Sequence, residues 1–261
     1  IARRQRQMCI RDSQYSWVKD YFDKKNNFWD NNSLGTMMLS PLKAFLADSG
    51  VSQRGKITPF GELVSTLGID TETAWALMLC NAAYTSEINW WMKNISFNRP
   101  YTPAEIITLL TDDVPSEKSR KNVVSAFKNI CSSNSILGER IGLGHCNSEQ
   151  KGRVTHLLDI TRTVWSSPDP LVILYSLYKF AEACEGYYQF TLTTLMDDTI
   201  ERGGISPTEI FGLSADTMEK LLNGLSINHP EFITCSFKMD LDSITLRPDK
   251  TSDDVLALFE A

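Results

Sequence analysis

Residues 56–110 read K-I-T-P-F-G-E-L-V-S-T-L-G-I-D-T-E-T-A-W-A-L-M-L-C-N-A-A-Y-T-S-E-I-N-W-W-M-K-N-I-S-F-N-R-P-Y-T-P-A-E-I-I-T-L-L, a stretch that spells out helix starts and holds the densest apolar surface of the chain. Thr58 can cap a helix through its side-chain oxygen, and Pro59 falls at the first helical position, where no N–H is needed. That helix is expected to run to Leu67 and stop at Gly68. Asp70 is read as the cap of a second helix. Its residues Ala74, Trp75, Leu77, Met78, Leu79 and Ala82 cover most of the circumference, so it should be enclosed by others. Trp90 and Trp91 follow on a third. Thr102-Pro103-Ala104-Glu105 then joins a capping box to a proline at N1.

Working back toward the start, Tyr15, Trp17, Val18, Tyr21 and Phe22 recur at near-helical spacing over residues 14–26. Residues 26–35 form an Asn-rich loop. Ser40-Pro41 reads as the opening of a helix that buries Leu42, Phe45 and Leu46 and stops near Gly50. Gly55 lies in a polar tip between residues 51 and 57, a short hairpin leading into Thr58. Helix, hairpin, helix resembles the end of a winged-helix unit. Residues 4–13, R-Q-R-Q-M-C-I-R-D-S, resemble a translated sequencing adapter of the kind met in metagenomic assemblies; residues 1–13 are set aside as a non-native tail, with native sequence expected to be missing before Gln14.

Beyond the central stretch, residues 116–132 place Val123, Val124, Phe127, Ile130 and Cys131 on one side of a helix and Lys118, Lys121, Asn122, Ser125 and Lys128 on the other. This is the best cationic stripe in the chain. Solvation accounts for such a face in an ordinary soluble helix, and phosphate contact is its functional reading. Residues 136–165 are punctuated by Gly138, Gly142, Gly144 and Gly152, which do not form a phosphate-cradling G-x-x-x-x-G-K-[ST] loop; R-V-T-H-L-L-D-I-T-R-T-V at 153–164 reads as a strand. Ser166-Ser167-Pro168-Asp169-Pro170 is the clearest linker, dividing the chain into subdomains at 14–166 and 167–261. After it come an apolar helix from Pro170, a helix over 191–201, a second capping box at Ser206-Pro207-Thr208-Glu209, a helix from Ser214, a hairpin over 233–246 and a closing helix over 252–259. The expected fold is mostly α with short β-hairpins, a helical domain with winged-helix-like elements.

Charge and cysteine usage narrow the function. The chain has 26 basic and 32 acidic residues in 261, a net charge of −6, so polyanion binding would need a local basic patch. No apolar run is long enough to span a bilayer and no secretory signal is visible, so no membrane association is expected. Cys80, Cys131, Cys146, Cys184 and Cys235 are scattered singly without a C-x-x-C, which fits a cytoplasmic, reducing setting and excludes a zinc or iron–sulfur site built from closely spaced cysteines. His145 with Cys146 supplies two metal ligands of the usual four, and His145, His156 and His229 are read as structural. Asp197 and Asp198 project about 100° apart on a helix and cannot share one substrate. No cofactor and no catalytic residue is expected.

K-I-T-P-F-G-E-L-V at 56–64, A-W-A-L-M-L-C-N-A at 74–82, W-W-M-K-N-I-S-F-N with Y-T-P-A-E-I over 90–106, the apolar helix after Pro170 and D-S-I-T-L-R-P at 242–248 together resemble a bacterial domain of unknown function. That family is found beside, or fused to, phosphoadenosine phosphosulfate (PAPS) reductase-like proteins, often in phage-defence neighbourhoods. The resemblance covers most of residues 14–261 and carries no catalytic signature. It implies a non-catalytic interaction module, with nucleic acid or a PAPS reductase-like protein as partner and the enzyme upstream. The alternative it implies is the C-terminal portion of such an enzyme, contributing to a sulfur-transfer or nucleotide-dependent site, but the S-G-G-x-D-S-type loop of that enzyme is absent here. In a winged helix the reading helix would be 214–225, where Asp216, Glu219 and Lys220 stand instead of a basic cluster. Lys118, Lys121 and Lys128 are therefore the candidate nucleic-acid contacts. Self-association through Trp90, Trp91 and Phe97 is a third reading, conditional on those rings being exposed.

Overall fold

The computed structural model describes residues 15–32, 34–152, 154–197, 199, 202–238 and 241–260, so the reading of residues 1–13 as a tail lies outside the described residues. The described residues are mostly helical with three small antiparallel sheets, and they divide into two compact units, one ending at Val164 and the other beginning at Trp165.

The first unit starts with α1 (Tyr15–Lys24), which buries Val18, Tyr21 and Phe22. A 3₁₀ turn over Lys25–Trp29 adds Phe28 and Trp29, and Tyr21 meets Phe22, Phe28 and Trp29 with ring centroids 5.5–5.6 Å apart. Helix α2 (Thr36–Asp48) begins earlier than the Ser40-Pro41 signal suggests, and Pro41 lies inside it. Its cap is Gly35, which has no side chain to announce a helix, while Pro41 is buried beside Leu42. Strands β1 (Ser52–Gln53) and β2 (Lys56–Ile57) form an isolated hairpin whose turn is held by the Trp29 indole, donating to the Gly55 carbonyl at 2.6 Å.

Helix α3 (Pro59–Leu67) is capped as expected. The Thr58 hydroxyl accepts from the Gly61 N–H at 3.0 Å and donates to the Gly50 carbonyl at 2.6 Å, tying the helix to the chain before the hairpin. Gly61 explains the glycine in I-T-P-F-G-E: a Cβ there would come within 2.3 Å of the Val51 carbonyl oxygen. Helix α4 (Glu72–Ala82) is capped by Thr71 rather than Asp70, because the Thr71 hydroxyl is the acceptor for the Ala74 N–H. Eight of its residues are buried, as its all-round apolar surface requires.

Helix α5 (Ser86–Asn94) leads to strand β3 (Pro100–Tyr101) and helix α6 (Pro103–Leu109). At the α6 start both halves of the capping box form: Glu105 N–H to the Thr102 hydroxyl at 3.3 Å, and Thr102 N–H to the Glu105 carboxylate at 2.8 Å. The Thr102 backbone and hydroxyl hold the Glu105 carboxyl below its usual range. A depressed folded-state pKa means this contribution is complete above the unfolded carboxyl pKa and is lost as the pH falls through the folded value. Thr102→Ala is expected to lower the unfolding free energy by about 1 kcal/mol in urea denaturation at neutral pH.

Helix α7 (Glu117–Ser133), a π-helical turn at Ile136–Arg140, and strands β4 (His145–Lys151) and β5 (Val154–Thr161) complete the unit. The sheet order is β3-β5-β4, all antiparallel. Its register shifts between Asn147 and Ser148, which pair with Asp159 and Leu157, so Leu158 is the extra residue of a bulge. Strand β4 carries no strand signal in its sequence: H-C-N-S-E-Q-K lacks the apolar alternation that marks one.

The second unit is built on α8 (Pro170–Ala183), started by Asp169, whose carboxylate accepts from the Leu171 N–H at 2.9 Å. It buries Val172, Ile173, Leu174, Tyr175, Leu177, Tyr178 and Phe180. Strand β6 (Gln189–Phe190) and a single short helix α9 (Leu192–Met196) follow; the helix expected over 191–201 stops at Asp197, whose carboxylate accepts from the Thr199 N–H and hydroxyl and turns the chain. Then come α10 (Pro207–Phe211) with its capping box, α11 (Ala215–Asn228) capped by Ser214, strands β7 (Ile233–Lys238) and β8 (Leu241–Leu246), and α12 (Ser252–Leu256). The sheet order is β6-β8-β7. Buried Tyr178 donates to the Phe232 carbonyl at 2.8 Å, fixing the root of the β7–β8 hairpin to the central helix.

Candidate nucleic-acid interface

Helix α7 owes its place to its inner stripe. Val124, Phe127, Ile130 and Cys131 are buried, and Phe127 stacks on Trp91 of α5 with centroids 3.9 Å apart and planes 16° from parallel. Ser116 caps the helix, and the Arg120 guanidinium donates to the Val114 and Pro115 carbonyls at 2.7 and 3.1 Å. Arg120 thereby fixes the turn that joins α6 to α7. It stands outside the lysine stripe, and a helical wheel gives it no role.

The outer face carries the predicted residues together: Lys118, Lys121 and Ser125 are exposed, and Asn122 and Lys128 are half-buried. They are not equivalent. The Lys121 ammonium lies 2.6 Å from the Glu117 carboxylate, an exposed i,i+4 pair that offsets part of its charge and holds Glu117 below the usual carboxylate range. The Lys128 carbonyl accepts from the Ser132 hydroxyl at 2.6 Å and from the Cys146 thiol of β4 at 3.7 Å. Lys118 has no carboxylate partner among the described residues. Beside the helix, the β4–β5 hairpin presents Asn147, Gln150, Lys151, Thr155 and His156 to solvent, with Lys151 paired to Glu149.

The other candidates separate. His145 is exposed with Nδ1 3.3 Å from the Glu139 carboxylate, and His229 is half-buried with Nδ1 3.6 Å from Glu231. Among the described residues no group of three or more His, Cys, Asp or Glu side chains could hold a metal ion. Asp198 lies outside the described residues, so its relation to Asp197 is not described. Trp91 is fully enclosed and its indole donates to the Leu143 carbonyl at 2.9 Å; Trp90 is half-buried and donates to the Asp113 carboxylate at 2.8 Å. Phe97 lies under the Arg162 guanidinium at 3.9 Å. These rings do not form the exposed aromatic surface that self-association through them requires.

No family model matches the chain. No curated protein and no solved structure matches it either. Among the described residues no helix is long and apolar enough to cross a membrane.

One juxtaposition escaped spacing arguments altogether. Cys131 of α7 and Cys146 of β4, far apart in sequence, stand on facing elements: the Cys146 sulfur lies 3.7 Å from the Lys128 carbonyl oxygen, one turn before Cys131, and each thiol shifts the other's titration.

Proposed function

We propose that this chain is an interaction module of a PAPS reductase-like system, without a catalytic centre of its own, and that it engages double-stranded nucleic acid through the outer face of α7. The observation that carries the reading is the position of α7. The run α5, β3, α6, α7, β4, β5 with sheet order β3-β5-β4 supports a winged-helix reading of this unit, in which α7 would be the reading helix. The same order recurs in the second unit as α8, β6, α10, α11, β7, β8 with sheet order β6-β8-β7, α9 being an added turn.

The two reading-helix slots differ in chemistry. Helix α11 offers Asp216, Glu219 and Lys220, whereas α7 offers Lys118, Lys121 and Lys128 interleaved with Asn122 and Ser125. Lysines supply the salt-dependent attraction to phosphates, and Asn and Ser are side chains that hydrogen-bond base edges. The acidic remainder of the chain repels polyanions, so contact concentrates on this face. The tie to a PAPS reductase-like partner rests on the sequence resemblance at residues 56–64, 74–82 and 90–106, the apolar helix after Pro170 and residues 242–248.

The test is fluorescence-anisotropy titration of a DNA duplex across a salt series with the Lys118→Glu, Lys121→Glu, Lys128→Glu triple variant. The variant is expected to lose affinity by a factor on the order of 100 at low salt. Its log–log salt slope should be shallower by about 2 to 3 units, because three phosphate contacts are removed. Equal affinity and equal slope for the two folded proteins would refute the reading.

A further inference from the structure

Cys146 enters β4 opposite Ile160, and its sulfur lies 3.7 Å from the Lys128 carbonyl oxygen, one turn before Cys131 on α7. Cys131 is 3 % exposed, while Cys146 is half-buried. The approach of helix and strand is close here: a Cβ at Gly144 would fall 2.9 Å from the Cys131 sulfur, so glycine is what lets the strand come alongside. The two thiols are therefore held on facing elements, one half-buried and one enclosed.

Their protonation states are split by the same contact. The neighbouring Cys131 thiol lowers the Cys146 pKa against the opposing effect of burial, with the Lys128 ammonium lowering it further while Asp159 and Glu139 oppose. For Cys131 the neighbouring Cys146 thiol and burial both push the pKa up. This division of labour suits an attacking thiolate and a protonated resolving thiol.

We propose that Cys131 and Cys146 form a redox pair that closes to a disulfide joining α7 to β4 on exposure to a hydroperoxide. The Cys146 sulfur attacks the distal peroxide oxygen; the O–O bond breaks, an alcohol or water leaves, and Cys146 becomes a sulfenic acid. The Cys131 sulfur then displaces that hydroxyl. An S–S bond forms, an S–O bond breaks, and water departs with the Cys131 proton. Two thiols lose two electrons and the peroxide gains them. A dithiol reductant reverses the step.

The experiment treats the purified chain with hydrogen peroxide and maps thiols by peptide mass spectrometry, a readout that needs no nucleic acid and so is decided separately from the role of the α7 lysines. A dithiothreitol-reversible Cys131–Cys146 linked peptide is expected, with a rise in the thermal midpoint of about 5–10 °C from closing the loop between α7 and β4. In Cys131→Ala, chosen because alanine suits a buried helical site, Cys146 should stop at the sulfenic acid and be captured by dimedone. In Cys146→Ser, Cys131 should stay reduced. The proposal is overturned if Cys131 remains a free thiol after Cys146 has reacted in the unaltered chain, if Cys146 joins a different cysteine, or if Cys146 does not react.

Discussion

Replacing Arg162 with leucine is expected to lower the stability of the first unit by about 3–5 kcal/mol, measured by urea denaturation with tryptophan fluorescence. Arg162 follows β5 and is 1 % exposed. Its guanidinium donates to the Met92 and Ile95 carbonyls at 3.0 and 3.1 Å, contacts the Met92 sulfur at 2.8 Å, and lies over the Phe97 ring at 3.9 Å. Helix α5 ends at these residues, so Arg162 satisfies carbonyls for which the helix has no further N–H. Leucine would strand two buried acceptors and leave Phe97 without its cation. Arg162→Lys keeps the charge but loses the planar fork, and should fall between leucine and the parent. A leucine variant within 1 kcal/mol of the parent would show that water reaches and satisfies the α5 carbonyls.

Trp91→Ala should cost a similar amount, about 3–5 kcal/mol. Trp91 is fully enclosed, stacked on Phe127 at 3.9 Å, and its indole N–H reaches the Leu143 carbonyl at 2.9 Å. One side chain thus joins α5, α7 and the segment leading into β4, so its loss removes the surface that seats the lysine-bearing helix. Trp91→Phe retains a stacked ring and abandons only the hydrogen bond and part of the volume, and it should recover more than half of the loss. Because the enclosed ring is a principal fluorophore, the denaturation is best followed by circular dichroism at 222 nm.

What the chain reveals on reading is what is encoded within a few residues. Thr58-Pro59, Thr102-Pro103-x-Glu105, Asp169-Pro170 and Ser206-Pro207-x-Glu209 all cap the helices they announce, because a cap is a contact between neighbours in sequence. The lysine face of α7 is legible for the same reason, since a helical period converts spacing into a surface. Features that depend on the tertiary fold were not legible. Gly35 caps α2 without a side-chain signal, and Pro41 misdirects the start. Strand β4 pairs along its length with β5 but has little to bury. Arg162 looks like a polar strand end and is a buried anchor. Cys131 and Cys146 meet only because the chain reverses between α7 and β4. The Glu117–Lys121 pair could be read from i,i+4 spacing, yet a count of lysines alone overlooks it.

The extra residue Leu158 in β5 has a consequence for the hairpin beyond it. In a regular ribbon, side chains alternate strictly between faces, so whatever the buried end requires dictates what the free end shows. The unmatched residue reverses that parity: Ile160 and Cys146 keep the buried side near the root, while past Asn147 the assignment of faces starts afresh. The solvent end of the ribbon, with Gln150, Lys151 and Thr155, can therefore change composition without altering what the root packs against. Contact chemistry at the tip and packing at the base can vary as two independent inheritances.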